Sequence, residues 1–338
     1  MFVEPDLSGG RNPADDAFAP RKTDMFNEGM AVYLIDPRRE VSFTLILYAL
    51  DGEAGAAGQN RATVSVNLPD GLVATSLDMG GARSDTVFQS NHLTFEQIEP
   101  FSLWRYRFDG PAAVAPRADT LRRVIDDPLT ATLNFDLRAK CATPPWSPPS
   151  TVFATATAQA LGESPIFGFY VQNLRFEGQM EIGGRRFDLR GSGWRHHVRG
   201  RPWGGEIAGH HFVHVLFDSG RAFGLQVAAL ESGDASRHGY IFEDGVLVQA
   251  SVRVITDWDR LIYSAERVAV VLACDDRIVE IEGETLNNVS VSSGRGAFGV
   301  DLTDKGARFM TFADTKWVWD GESGYGAWER SLKVSALR

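Results

Sequence analysis

Cysteine is almost missing from this sequence: Cys141 and Cys274 are the only two, far apart and without a C-x-x-C partner. That excludes a disulfide framework and a zinc knuckle and leaves room for one disulfide at most. No uninterrupted apolar run reaches the length of a membrane span, and the first twenty residues lack the apolar stretch of a secretory leader. The expectation is a cytoplasmic protein with no stable membrane insertion. Positive charge is in deficit as well. With 34 basic and 44 acidic residues the formal net charge is −10, which repels phosphate backbones, so nucleic acid is not an expected partner. Also absent are an H-E-x-x-H pair, a Gly-x-Ser-x-Gly elbow and a glycine loop between strand and helix, which argues against zinc, acyl-serine and nucleotide chemistry. Helix signals are scarce. Leu121 to Ile125 predicts one turn, stopped by Asp126-Asp127-Pro128.

What is present is strand and turn. The first two dozen residues mix Pro, Gly, Asp and Asn without periodicity and read as an irregular arm on the surface or over another element. From Met30 short apolar or alternating runs follow one another, among them Val41 to Leu50, Arg61 to Leu68, Leu103 to Phe108 and Leu129 to Arg138, each bounded by turn residues. The proline-dense Cys141 to Ser150 cannot pair as a central strand and marks a purely compositional domain cut. Three further hairpins turn at Asp218-Ser219-Gly220, Glu243-Asp244-Gly245 and Asp275-Asp276. Sixteen or so strands with almost no helix predict an all-β protein, and at 338 residues two barrels or sandwiches.

The best-defined hairpin carries the sharpest functional signal. Leu174, Phe176, Gly178, Met180 and Ile182 alternate with Arg175, Glu177, Gln179 and Glu181, Gly183-Gly184 supplies a two-residue turn, and Phe187, Leu189, Gly191 and Gly193 continue the inward face. Without a bulge, Arg195, His197 and Arg199 stay on that face while Trp194, His196 and Val198 fall on the other. An imidazole between guanidinium groups in a dry cavity is held neutral by burial and by neighbouring positive charge, so it can take or return protons. The guanidiniums can hold an enolate, carboxylate or phosphate. A strand end reaching solvent, with Arg and His merely paired to carboxylates, is the plainer alternative.

His210 and His214 share a strand face but stand about 13 Å apart, too far to ligate one ion, so no metal is expected. Glu329 is a candidate acid, because a carboxyl beside the indoles of Trp317 and Trp319 would be desolvated. A salt bridge to Arg330 or any nearby arginine is the plainer outcome. Trp194, Trp203, Trp317, Trp319 and His214 are candidate ligand-lining residues, although most tryptophans simply pack cores.

The run Gly193-Trp194-Arg195-His196-His197-Val198-Arg199-Gly200 resembles the Gly-x-Gly-(Trp/Tyr)-x-Asp-His-x-Trp-Gly signature of the carotenoid 1,2-hydratase (hydroxyneurosporene synthase) family. The wider set includes the AttH-type tandem lipocalin-like proteins. Phe26-Asn27-Glu28 and Gly324-Tyr325-Gly326-Ala327-Trp328-Glu329 are similar in style to that set. The resemblance implies two antiparallel calycin (lipocalin-like) barrels packed side by side, 1-200 with the arm and 201-338. It places the signature beside the groove between them. It also implies acid-base chemistry on a polyene, terpenoid, steroid or similar lipid-like molecule, as a hydro-lyase, isomerase or cyclase with no cofactor. His197 matches the signature histidine, whereas His196 replaces the usual aspartate and Arg199 the usual tryptophan. The expected roles are His197 as base or acid, Arg195 and Arg199 holding negative charge, and Glu28 or Glu329 complementing them. A non-catalytic carrier or sensor of a hydrophobic ligand is the competing reading, since an apolar cavity with a few polar groups serves either purpose. A homodimer is left open.

Overall fold

The computed structural model describes residues 7–18, 27–50, 59–122, 129–148, 168–200, 207–231, 235–255, 266–274, 277–290, 308–333 and 335. Two closed eight-stranded antiparallel barrels lie side by side. The first is built from β1 (Asn27–Asp36), β2 (Val41–Leu50), β3 (Gln59–Asn67), β4 (Leu72–Gly80), β7 (Leu103–Pro116), β8 (Leu129–Cys141), β9 (Gly168–Ile182) and β10 (Arg185–Gly200). It closes where β4 pairs with β7 and β1 with β10, while β5 (Val87–Gln89) and β6 (Leu93–Glu99) extend the sheet beyond β7. The second is a simple meander: β11 (Ile207–Phe217), β12 (Ala222–Leu230), β13 (Ala235–Glu243), β14 (Val246–Ile255), β15 (Arg267–Cys274), β16 (Arg277–Ser290), β17 (Arg308–Trp319) and β18 (Glu322–Lys333). Pairing of β11 with β18 closes it.

Period-two alternation fills each barrel from one face of every strand. In the first, Met30, Val32 and Leu34 of β1 meet Phe43, Trp104, Phe135 and Leu189 in the core. In the second, Val213, Val215 and Phe217 of β11 meet Phe223, Leu272, Trp317 and Trp328. A third apolar cluster is the seam between the barrels: Ala31, Tyr33, Ile35 and Trp194 of the first pack on Phe212, Leu216, Tyr240 and Phe312 of the second. Asp314 of β17 fastens this seam. Its carboxylate accepts from Tyr33 Oη at 2.7 Å, Ser42 Oγ at 2.8 Å and Asn287 Nδ2 at 2.6 Å.

Several local expectations shift. The only α-helix among the described residues is α1 (Arg117–Arg122), which includes Leu121 and Arg122 of the expected turn; the rest of that turn lies outside the described residues. The proline-dense segment is no domain cut, because β9 follows it back into the first barrel and Trp146 bridges to Val171. The arm takes the second of its two expected placements and lies over another element. After a single 3₁₀ turn (Pro13–Asp15) capped by Asn12, it buries Asp16 and Phe18 completely in the mouth of the first barrel. Cys141 and Cys274 are both buried, and no disulfide joins them. No helix among the described residues is long and apolar enough to cross a membrane.

Candidate functional site

Strand β10 shapes the site, and its first contribution is backbone. A Cβ on Gly191 or Gly193 would overlap the carbonyl oxygen of Ile35 or Tyr33 on β1, so the Gly-x-Gly of the motif lets these two strands approach. Past the glycines the register runs unbroken: Trp194 opposite Tyr33, Arg195 opposite Val32, His196 opposite Ala31, His197 opposite Met30. The parity read from the sequence therefore holds, and β10 serves two compartments.

Its inner face closes the mouth of the first barrel. Arg195 is fully buried over the Trp104 ring, 4.5 Å from its centroid. Its Nη2 donates to Asp16 Oδ1 at 2.8 Å and also to Gln172 Oε1. Asp16 also receives the Phe101 amide and touches the Tyr170 hydroxyl. Burial alone would raise the Asp16 carboxyl, but Arg195, Tyr170 and the Phe101 amide together hold it below the usual range. His197 sits between Tyr170 Oη, 3.1 Å from Nδ1, and Glu28 Oε1, 2.9 Å from Nε2. Glu28 in turn receives Arg199 Nε at 3.1 Å and Arg83 Nη1 at 2.8 Å. Burial pushes the His197 imidazole down, opposed by Glu28 and assisted by Arg199. Tyr170 has one proton and two neighbours that want it, Asp16 and His197, so the position of that proton is tied to the charge on His197.

The outer face of β10 lies on the seam. Trp194, fully buried, stacks on His196 (5.8 Å between centroids) and meets Phe212 edge-on at 5.1 Å. His214, also fully buried, is 4.3 Å from Phe212 and 6.0 Å from Trp194, centroid to centroid. Four polar atoms here are sealed from solvent with no hydrogen-bond partner among the described residues: Trp194 Nε1, His196 Nδ1, His214 Nε2 and Asn173 Nδ2. Burial, with a smaller push from His197 and His210, brings the His196 imidazole down to about 4 even though Glu329 opposes it. Burial and His196 carry His214 well below its ordinary value, so both rings are neutral at pH 7. The tautomer of His214 follows from its neighbours. Tyr240 Oη donates to Asn173 Oδ1 at 2.5 Å, so it can only accept from His214 Nδ1 at 3.2 Å. That leaves His214 Nε2 as a bare lone pair among aromatic rings. Gly224 makes room for this, since a Cβ there would overlap both the His214 and Tyr240 rings.

Farther along the seam, His210 Nε2 meets Glu329 Oε1 at 2.7 Å and His210 Nδ1 meets Ser331 Oγ at 2.6 Å. Glu329 thus belongs to the seam, and not beside Trp317 and Trp319. Those indoles point into the second barrel, where Trp317 packs on Phe223 and Trp319 on Phe217, and neither lines the seam. Nor does Glu329 pair with Arg330, which faces the opposite way and binds Glu266 at 2.6 Å. Trp203 lies outside the described residues. No group of three or more potential metal ligands comes together among the described residues.

The sequence-based candidates therefore fall into three places: Glu28, Arg195, His197 and Arg199 in the first mouth; Trp194, His214 and Glu329 on the seam; Trp317 and Trp319 in the second core. Asp16, Tyr170, Gln172, Asn173, Tyr240, His196 and His210 join them. For Tyr170 and Gln172 a signal existed. Counting back from the Gly183-Gly184 turn places them opposite His197 and Arg195. Nothing in the unpatterned arm marks Asp16.

Comparison with solved structures returns the same architecture over nearly the whole chain. A protein assigned to AttH (NE1406) from Nitrosomonas europaea is 14% identical, with 99% of each chain covered and a TM-score of 0.60. CghA, solved with Sch210972, is 13% identical over 93% of this chain and 90% of that one, with a TM-score of 0.53. Kievitone hydratase from Nectria haematococca is 9% identical over 91% and 88%, with a TM-score of 0.51. At these identities the likeness is one of fold. No curated protein sequence matches the chain. A family model, Domain of unknown function (DUF7064), matches residues 12–332, and the chain therefore belongs to the DUF7064 family.

Proposed function

We propose that this protein is an acid-base enzyme of the hydratase, isomerase or cyclase type, acting on a hydrophobic small molecule held at the seam between its barrels. The observation that carries the reading is the bare Nε2 of His214, a neutral imidazole fixed in one tautomer by Tyr240 and Asn173 and walled by Trp194 and Phe212. Nε2 takes a proton from a substrate carbon or a water. Burial makes the resulting imidazolium a strong acid, so it returns the proton at another carbon of the substrate or, when the proton came from water, to one carbon of a double bond as the water oxygen bonds to the other. The indole of Trp194 offers its face to any cationic character that develops. Kievitone hydratase, a fold relative, is by name a hydratase, which suits this chemistry.

A second assignment of the proton transfer within the same reaction class rests on His197. Its contact with Glu28 is the pairing that orients an imidazole for acid-base work, and Tyr170 continues the relay to Asp16. There both ring nitrogens are already engaged, so a substrate would have to displace Tyr170 or Glu28.

The test is turnover of terpenoid, polyene and steroid compounds in heavy water, read by mass spectrometry as gain of water or of carbon-bound deuterium. His214→Phe keeps the packing and removes the base. We expect a loss of about 100-fold or more in rate, with binding within a few-fold. Full activity in His214→Phe together with its loss in His197→Gln would move the chemistry to the barrel mouth. Binding without product in the wild type would make the seam a carrier site.

A further inference from the structure

A groove of about 760 Å³ opens where the seam reaches the surface, between the β1–β2 turn, the outward side chains of β8, β9 and β10, and the ends of β11 and β18. Its charge runs against that of the molecule. Arg38, Arg138, Lys140, Arg175 and Arg190 line it against two carboxylates, Glu177 and Asp218, on a chain whose net charge is −10. Two of the guanidiniums brace the rim: Arg175 Nη2 donates to the Phe217 carbonyl across the seam at 2.9 Å, and Arg38 Nη2 to the Arg190 carbonyl at 3.0 Å. Asp218 lies 3.7 Å from Arg175. Arg138 and Arg190 differ. They flank Glu177 in register, Arg138 on β8 and Arg190 on β10, yet among the described residues neither side chain forms a hydrogen bond or an ion pair. The floor is apolar: Phe176 and Leu216 are buried, Tyr325 half-buried, and Leu216 and Tyr325 belong to the same cluster as Trp194 and Phe212. Leu216 follows His214 by two residues of strand, about 7 Å, and Arg190 lies four residues, about 13 Å, from Trp194.

Building on the seam as the reacting surface, we propose that this groove receives the anionic head of an amphiphilic substrate, a carboxylate or phosphate ester held by Arg138 and Arg190, while its apolar part lies on Phe176, Leu216 and Tyr325 and points toward Trp194. Planar guanidinium forks suit either oxyanion, and a head-group site distinct from the proton-transfer site fixes which atom of the substrate reaches His214.

Calorimetric titration with dodecanoate, dodecyl phosphate, dodecanol and inorganic phosphate tests this on the wild type and on the double variant R138E/R190E. Both positions are exposed, so the double reversal should leave the unfolding midpoint in place. At least one anionic amphiphile should bind about tenfold or more tighter than dodecanol, with the carboxylate and phosphate arms identifying the head. The double variant should erase that preference and leave dodecanol unchanged. Equal affinity for dodecanol and both anions, or a preference that survives the reversal, would overturn the head-group site. So would inorganic phosphate binding as tightly as dodecyl phosphate, which would reduce the groove to a surface anion site. None of these outcomes touches the His214 turnover result, so the two readings fail separately.

Discussion

The two faces of β10 do opposite things with the same kinds of residue. On the inner face Arg195 and His197 are engaged by Asp16, Gln172, Tyr170 and Glu28, an arrangement that seals a barrel and leaves only single guanidinium nitrogens, Arg195 Nε and Arg199 Nη2, without a partner among the described residues. On the outer face Trp194 and His196 keep a ring nitrogen without a partner, as does His214 across the seam. Buried polar atoms are nearly always bonded, and an orphan at a seam of aromatic rings is a group held in reserve. The difference separates charge used to fasten the fold from polarity set aside for a ligand.

Substitutions can break that separation, and the largest effect is expected in the mouth. Asp16→Ala leaves the Arg195 guanidinium buried without its carboxylate and should cost about 3–5 kcal/mol in urea unfolding. Adding Arg195→Met should restore part of the loss; no recovery would mean that the pair is not what holds the arm. On the seam, Gly224→Ala should cost about 1–3 kcal/mol, because its methyl displaces the His214 and Tyr240 rings, and turnover should fall with it.

The comparison can also be sharpened by pH. His196, His197, His211 and His214 all titrate lower in the folded protein than their ordinary value of 6.5. The unfolded chain therefore binds more protons just below that pH, and stability should fall as the pH drops from about 6.5 toward 4, by about 1.4 kcal/mol per pH unit for each ring that stays neutral in the fold. His214→Phe should remove one ring's share of the slope. Asp16 is lowered as well, so its slope has the same sign but lies in a more acid window. Its lowered carboxyl adds stability above about 3.9 that is lost only at more acid pH, so Asp16→Asn should leave the slope above pH 4 intact. Urea midpoints measured across this range would read both windows.

Much of this could be read from the chain because strands are periodic. The alternation through Phe187, Leu189, Gly191 and Gly193 carried the parity to Arg195 and His197 without a bulge, and the Gly183-Gly184 turn fixed its register. Period two says that a strand has two faces; it does not say what covers the outer one. For that reason Trp194 and His214 were legible as aromatic or titratable groups but not as neighbours across two barrels. Glu329 shows the same limit. It sits next in sequence to Trp328, whose indole points into the barrel, so the carboxylate necessarily points away and meets His210. Asp16 was beyond reach because its placement depends on a partner 179 residues away.

That separation has a kinetic consequence. The first barrel cannot close until β10 is available to pair with β1, Asn27 against Gly200, and its mouth cannot be stoppered until Arg195 is in place for Asp16. Nearly three fifths of the sequence, through Gly200, must leave the ribosome before β1 gains its second neighbour. Such long-range closure is slow, and until it happens β1 presents an unpaired edge to the crowded cell.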